Sequence, residues 1–261
     1  MSRIVIFDSG VGGLSIYQEV VKKCPNHDYI FVSDNQAFPY GTKPEAELID
    51  RVVNVVKALE TQYKPDLLVV ACNTASTVAL PHLRSRFNFP IVGVVPAIKP
   101  AAKLSKSNVI GLLATPGTIE RDYTNSLINE FAHDCSVIKV GSSRLVEMAE
   151  QKMSGNPIDL DEIEQELSPF FNYENLDFLV LACTHFPLLN NEISAVFKEK
   201  SNALRLIDSG IAIANRVSEL CPNPKDQSGC GRVAVFTNKL KSDSLKLYLQ
   251  KSGFNQVDLL T

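Results

Sequence analysis

Twice in this chain an apolar run of β type ends in Ala-Cys and passes directly into polar residues. The first is 67–71, followed by Cys72-Asn73-Thr74-Ala75-Ser76. The second is 178–182, followed by Cys183-Thr184-His185-Phe186-Pro187. Short, continuously apolar runs read as strands buried on both faces, the pattern of a parallel sheet. Parallel strands need crossover connections, usually helices. The two corners therefore demand an α/β chain in which each of two related units carries one cysteine where strand hands over to helix. In an open α/β sheet that corner is where ligands bind. A thiol there also feels the positive end of the following helix, which lowers its pKa from about 8.5. Both Cys72 and Cys183 are expected to favour thiolate.

The rest of the chain keeps the alternation. Strand patterns lie at 3–7, 29–33, 91–95, 109–113, 137–140, 204–207, 233–237 and 257–260. Helical spacing follows Gly13 and covers about 46–60, 74–87 and, after the segment Ala114 to Thr118, a helix through about 131. It returns around Leu145, Met148 and Ala149, over 160–171, after Pro187 and over 211–220. A second echo accompanies the cysteines: Asp8-Ser9-Gly10 resembles Asp208-Ser209-Gly210. The fold class is α/β: two pseudo-symmetric α/β domains with mostly parallel sheets and an active site in the cleft between them. The first domain is 1–97 plus 209–261, carrying Asp8, Tyr40 and Cys72; the second is 98–208, carrying Cys183 and His185.

Composition narrows the function classes. The chain has 261 residues, 45% hydrophobic and 21% charged, with formal net charge −3. No basic field invites nucleic acid, and no apolar run reaches the roughly 18 residues of a membrane span. The chain enters a strand at once, with no secretory leader pattern, so a cytoplasmic location is expected. The six cysteines contain no C-x-x-C pair and read as free thiols. Cys24, Cys135, Cys221 and Cys230 are expected as small buried hydrophobes, with no metal at Cys221 and Cys230. His27, His82 and His133 are expected at the surface. Gly10, Gly12 and Gly13 lack dinucleotide-loop spacing and suit a tight turn whose N–H groups meet a carboxylate.

Two thiols on opposite walls of a cleft can act on one carbon. One, as thiolate, removes a proton; the other, as thiol, supplies one to the opposite face. That inverts a stereocentre without a cofactor, provided the thiol pKa values are tuned toward the working pH. Asp8 is placed to assist Cys72, and His185 to assist Cys183. Asp8 can alternatively cap the helix behind it. Tyr40, in a long polar loop, is either a packing residue or a functional one. Thr115 and Thr118 are either a helix cap or a substrate contact.

Four segments together, 8–13 (Asp-Ser-Gly-Val-Gly-Gly), 39–42 (Pro-Tyr-Gly-Thr), 71–76 and 182–189, resemble glutamate racemases of the aspartate/glutamate racemase family. The resemblance runs from residue 4 to about 210. It implies cofactor-independent interconversion of L- and D-glutamate, supplying D-glutamate for peptidoglycan. It further implies that Cys72 deprotonates the D-enantiomer and Cys183 the L-enantiomer, with Asp8 and His185 supporting them. Substrate contacts implied in the same way are Asp8, Ser9, Tyr40, Gly41, Asn73, Thr74, Thr184 and His185, and Glu150 matches a further acidic residue. Neither cofactor nor metal is expected; the partner is the small-molecule substrate, with no nucleic acid and no membrane, and a homodimer is compatible.

Two departures stand out. Some relatives carry an N-terminal extension that helps form an activator site for a peptidoglycan precursor; here the first strand begins by Ile4, so the resemblance does not extend to that activation. Ala182 replaces a Gly common before the second cysteine, and Ala71 shows that a methyl is tolerated at such a corner. Other readings are an aspartate or hydantoin racemase, a thiol redox protein using Cys72 and Cys183, or a non-catalytic binding protein. His185 favours glutamate, because aspartate-specific relatives typically carry Glu after Cys-Thr.

Overall fold

The computed structural model describes residues 1–200, 204–224, 231–240 and 242–260. The elements are β1 (Arg3–Asp8), α1 (Leu14–Lys23), β2 (Asp28–Ser33), α2 (Glu45–Tyr63), β3 (Leu67–Val70), α3 (Asn73–Arg86) and β4 (Ile91–Gly93). They continue with α4 (Ile98–Leu104), β5 (Val109–Ala114), α5 (Pro116–Glu120), α6 (Asp122–Phe131), β6 (Ser136–Gly141), α7 (Arg144–Met153), α8 (Leu160–Leu167) and β7 (Phe178–Leu181). Then come α9 (Asn190–Lys200), β8 (Arg205–Ile207), α10 (Gly210–Leu220), β9 (Arg232–Phe236), α11 (Asp243–Lys251) and β10 (Gln256–Leu259).

The strands form two sheets, β10-β9-β2-β1-β3-β4 and β6-β5-β7-β8. All pairings are parallel. The central strands are apolar along their middles because both of their faces are buried. In β1, Ile4 and Ile6 join one core cluster while Val5 and Phe7 join another. In β7, Phe178 and Val180 face one cluster while Leu179 and Leu181 face another. That is the two-residue period of a strand with two buried faces.

Parallel pairing brings the functional ends together. Phe7 is level with Val70, and Leu113 with Leu181. Asp8 and the approach to Cys72 therefore leave the same edge of the first sheet. Thr115 and Cys183 leave the corresponding edge of the second.

Several expectations are corrected. The helix expected after Thr118 through about 131 is interrupted: α5 and α6 are separate helices, because Arg121 between them is extended (φ −69°, ψ 143°). Its guanidinium turns back to the Thr74 carbonyl and the Thr77 hydroxyl, both at 3.1 Å. After Cys183 the chain makes a 3-10 turn, Phe186–Leu189, before α9 begins. His27 is buried, with ring nitrogens facing the Ser2 amide at 3.2 Å and the Cys221 carbonyl at 3.1 Å. His82 and His133 are exposed. Cys24 and Cys221 are buried, Cys135 is only half-buried, and Cys230 lies outside the described residues. Among the described residues, no helix is long and apolar enough to cross a membrane.

Candidate active site

Cys72 and Cys183 line one cavity between the two sheet edges. Ser9, Tyr40, Gly41, Asn73, Thr74, Thr184 and His185 line it too, and Asp8 stands just behind. The cavity is small, about 70 Å³, room for roughly five waters at the ~10–15 Å³ each requires. Both thiols are free and almost completely buried, 5% and 7% exposed. No Lys or Arg is among the described lining residues.

At the first corner, Cys72 is the N-cap residue of α3, with extended backbone (φ −139°, ψ 113°). The expected thiolate-favouring setting is only part of the outcome. Burial pushes the thiol well above the ordinary cysteine range, and the nearby Asp8 charge pushes it further. The Ala75 N–H, the contribution of the helix N-terminus, acts in the opposite direction and is outweighed. The helix N-terminus does not prevail because desolvation opposes any charge in a closed site.

Asp8 does not cap α1, whose N-cap is Gly13 with no side-chain cap bond. Its Oδ1 accepts from the Ser9 amide at 2.6 Å, and its Oδ2 accepts from the Thr184 hydroxyl at 3.0 Å. The second bond crosses between the sheets. Burial raises the Asp8 carboxyl pKa, against the pull of His185 and these hydrogen bonds. Ser9 Oγ lies 3.9 Å from Cys72 Sγ.

At the second corner, His185 Nδ1 lies 3.8 Å from Cys183 Sγ. Its Nε2 meets Glu150 Oε1 at 2.8 Å. Burial alone would lower the His185 pKa; the hydrogen bonds and charges of Cys183 and Glu150 override it and hold the ring well above the ordinary histidine range. A ring biased toward its protonated form therefore faces the Cys183 sulfur. The glycine turn makes room for that ring: a Cβ on Gly12 would come within 2.4 Å of His185 Nδ1. The same turn was expected to offer amides to a carboxylate, and the Val11 N–H donates to Glu150 Oε1 at 2.7 Å, so one side-chain carboxylate oxygen ties the turn to His185.

Three hydroxyls join the walls beside Cys72. Thr74 Oγ1 lies 3.1 Å from Thr115 Oγ1 and 3.3 Å from Thr118 Oγ1, and Thr115 donates to Thr118 at 2.9 Å. Thr115 holds the N-cap position of α5 without making a side-chain cap bond, so these hydroxyls serve the cleft rather than the helix. Asn73 Oδ1 is buried without a partner among the described residues, an open acceptor beside the cavity.

Sequence reasoning missed Ser143, Val146 and Glu147, which line the cavity. With Glu150 they recur at i, i+3, i+4 and i+7, one stripe of α7, while Leu145, Met148 and Ala149 point into the core. That spacing was the available signal.

A family model described as Asp/Glu/Hydantoin racemase matches residues 4–217. Glutamate racemase of Klebsiella pneumoniae is 52% identical over 98% of this chain and 91% of that protein. The enzyme of the same name from Pectobacterium atrosepticum is 47% identical over 98% and 90%. The crystal structure of Escherichia coli glutamate racemase in complex with L-glutamate and the activator UDP-MurNAc-Ala superimposes with TM-score 0.93 at 45% identity. It covers 100% of this chain and 98% of that one.

Proposed function

The chain belongs to the Asp/Glu/Hydantoin racemase family, and from that premise we propose that it racemises glutamate by proton transfer between Cys72 and Cys183. The observation that carries the reading is the pair of buried thiols on two walls of one small cavity, with opposite electrostatic company. Relatives named glutamate racemase over nearly the whole chain supply the substrate. Provision of D-glutamate for peptidoglycan is the corresponding cellular role.

In the L-to-D direction, Cys183 thiolate, facing the His185 imidazolium, takes the Cα proton. The Cα–H electron pair stays on the substrate, and the Cys72 thiol gives its proton to the opposite face. Cys183 ends as thiol and Cys72 as thiolate, so the reverse reaction begins from the mirrored state. Asp8, a carboxylate beside Cys72 with a raised pKa, is suited to take the Cys72 proton when the D-to-L direction needs the thiolate. The unpartnered Asn73 Oδ1 is an acceptor for the substrate ammonium, and an unmet buried acceptor costs about 1–3 kcal/mol until it is filled. With no Lys or Arg among the described lining residues, hydroxyls and backbone N–H groups meet the carboxylates. The Thr184 hydroxyl proton is already directed to Asp8, so Thr184 links the two corners as well as facing the cavity.

The test is solvent deuterium uptake at Cα of L- and D-glutamate by dialysed protein, alongside a chiral assay over acidic amino acids. The expected result is exchange and racemisation with glutamate alone, without added cofactor. Exchange with aspartate and none with glutamate would reject the substrate. Turnover lost to a chelator and restored by metal would reject the mechanism.

A further inference from the structure

Asp34 is a fully buried carboxylate that is not among the residues lining the cavity. It follows β2 directly, and its amide donates to the Asp8 carbonyl at 2.8 Å. Four side-chain hydrogen bonds converge on it. Arg51 of α2 donates from Nε to Oδ2 at 2.8 Å and from Nη2 to Oδ1 at 2.5 Å. The Tyr40 hydroxyl donates to Oδ2 at 2.5 Å. The Thr237 hydroxyl, just past β9, donates to Oδ1 at 2.7 Å. Each oxygen thus has two donors, the full satisfaction that keeps a buried carboxylate charged. Burial would raise the Asp34 pKa, but the bonds from Arg51, Tyr40 and Thr237 bring it below the ordinary range.

Tyr40 lines the cavity, yet its phenolic proton is committed to Asp34. The next residue abuts the opposite wall. A Cβ on Gly41 would come within 3.0 Å of Thr115, and a Cβ on Gly117 within 2.7 Å of the Gly41 carbonyl. The turn at Tyr40–Thr42 is therefore both a wall of the cavity and the surface on which the second sheet's corner rests.

We infer that Asp34, clamped by Arg51 and Thr237, is the positioning residue of this turn: it fixes Tyr40 as a wall whose hydroxyl proton is withheld from the substrate, and so sets the space between the two thiols. Its lone pairs are filled, so Asp34 takes no part in proton transfer. Thr237 brings the C-terminal segment into the same device. The kinetic consequence rests on the racemase reading; the state of Tyr40 rests on the structure alone.

The experiment is a double-mutant cycle on the full chain with a tyrosine titration of the unliganded protein. Asp34→Asn and Tyr40→Phe are each expected to lower kcat/KM by roughly ten- to a hundredfold. The double variant should be no slower than the slower single one, because one interaction is being removed twice. Thr237→Val should cost roughly threefold, and Thr237→Ser should restore it. In the titration, Asp34→Asn should let one more tyrosine ionise at lower pH, and that gain should vanish in the Tyr40→Phe background. Additive losses, wild-type kcat/KM in Asp34→Asn, or an unchanged titration would overturn the inference. If Asp34→Asn does not fold, the Thr237 pair crossed with Tyr40→Phe carries the same cycle. A wild-type protein inert toward glutamate would sink the racemase reading, while the titration would still decide the role of Asp34.

Discussion

Cys72 opens the 14-residue helix α3 and stands beside the buried carboxyl of Asp8. Cys183 leads into a four-residue 3-10 turn and stands beside the buried imidazole of His185. The two corners read almost alike in sequence, yet their electrostatic company is opposite. Burial and a neighbouring negative charge push the Cys72 thiol well above the ordinary range; the Cys183 sulfur instead faces an imidazole that Glu150 helps hold toward its protonated form. A two-base racemase needs one thiol and one thiolate at rest, and two identical corners would leave that choice open. The asymmetry lies in partners from other elements, Asp8 from β1 and Glu150 from α7, rather than in the cysteine motifs.

Removing either sulfur should have the largest effect. Cys72→Ser and Cys183→Ser are each expected to lower racemisation by roughly 10²–10⁴-fold, the usual worth of a general acid or base. Circular-dichroism or coupled assays in both directions would measure it. The enantiomers have equal free energy in achiral water, so kcat/KM must fall equally in both directions. Only the separate kcat and KM values, or a half-reaction, can tell the corners apart.

His185→Asn should come next. It removes the counter-charge at Cys183 and leaves Glu150 with only the Val11 amide. A charge-assisted hydrogen bond is worth about 1.5–3 kcal/mol, so kcat/KM should drop roughly ten- to a hundredfold. Solvent-isotope exchange from L-glutamate should suffer more than exchange from D-glutamate. Equal suppression would mean that His185 serves both corners.

The same residue sets a pH trend in stability. The folded pKa of His185 is raised above the ordinary value of 6.5, so the folded protein binds more protons than the unfolded chain between those two values. Stability from this group is fully present below the unfolded pKa and is lost as pH rises through the folded one. Denaturant unfolding followed upward from about pH 6 should show that decline in wild type and a flatter profile in His185→Gln. A profile unchanged by the substitution would contradict the imidazolium assignment.

Two neighbouring glycines offer a finer comparison. A Cβ on Gly12 would strike the His185 ring, whereas a Cβ on Gly13 would come within 2.8 Å of the Asp8 Cβ. Gly12→Ala should perturb the Cys183 corner and Gly13→Ala the Cys72 corner, each by about 1–3 kcal/mol of overpacking. Isotope exchange from each enantiomer would show the separation; the same pattern from both variants would erase it.

The strands and the two cysteine corners were legible because apolar runs and corner residues are local signals. Contacts that join distant elements were not. Nothing local says that Glu150 reaches both the Val11 amide and His185, or that Asp34 gathers Arg51, Tyr40 and Thr237. His27 was expected at the surface because a lone polar residue gives no sign of partners; the Ser2 amide and the Cys221 carbonyl meet it only after folding. Arg121 broke the expected helix for a similar reason, its guanidinium being claimed by Thr74 and Thr77 across the cleft. The Cys72 thiol lies above rather than below the ordinary range because a helix terminus can be read from sequence, whereas burial in a closed site cannot.

The central claim is that each thiol serves one enantiomer. It is tested most directly with glutamate analogues bearing a good leaving group on the carbon next to Cα, which eliminate after deprotonation alone. Cys183→Ser should still eliminate from the D-analogue, through Cys72, and fail with the L-analogue. Cys72→Ser should do the reverse, through Cys183. Serine cannot substitute, because its hydroxyl is a far weaker acid than a thiol of pKa about 8.5. If both variants, folded by thermal melt, eliminated equally from both enantiomers, the division of labour between the corners would be wrong.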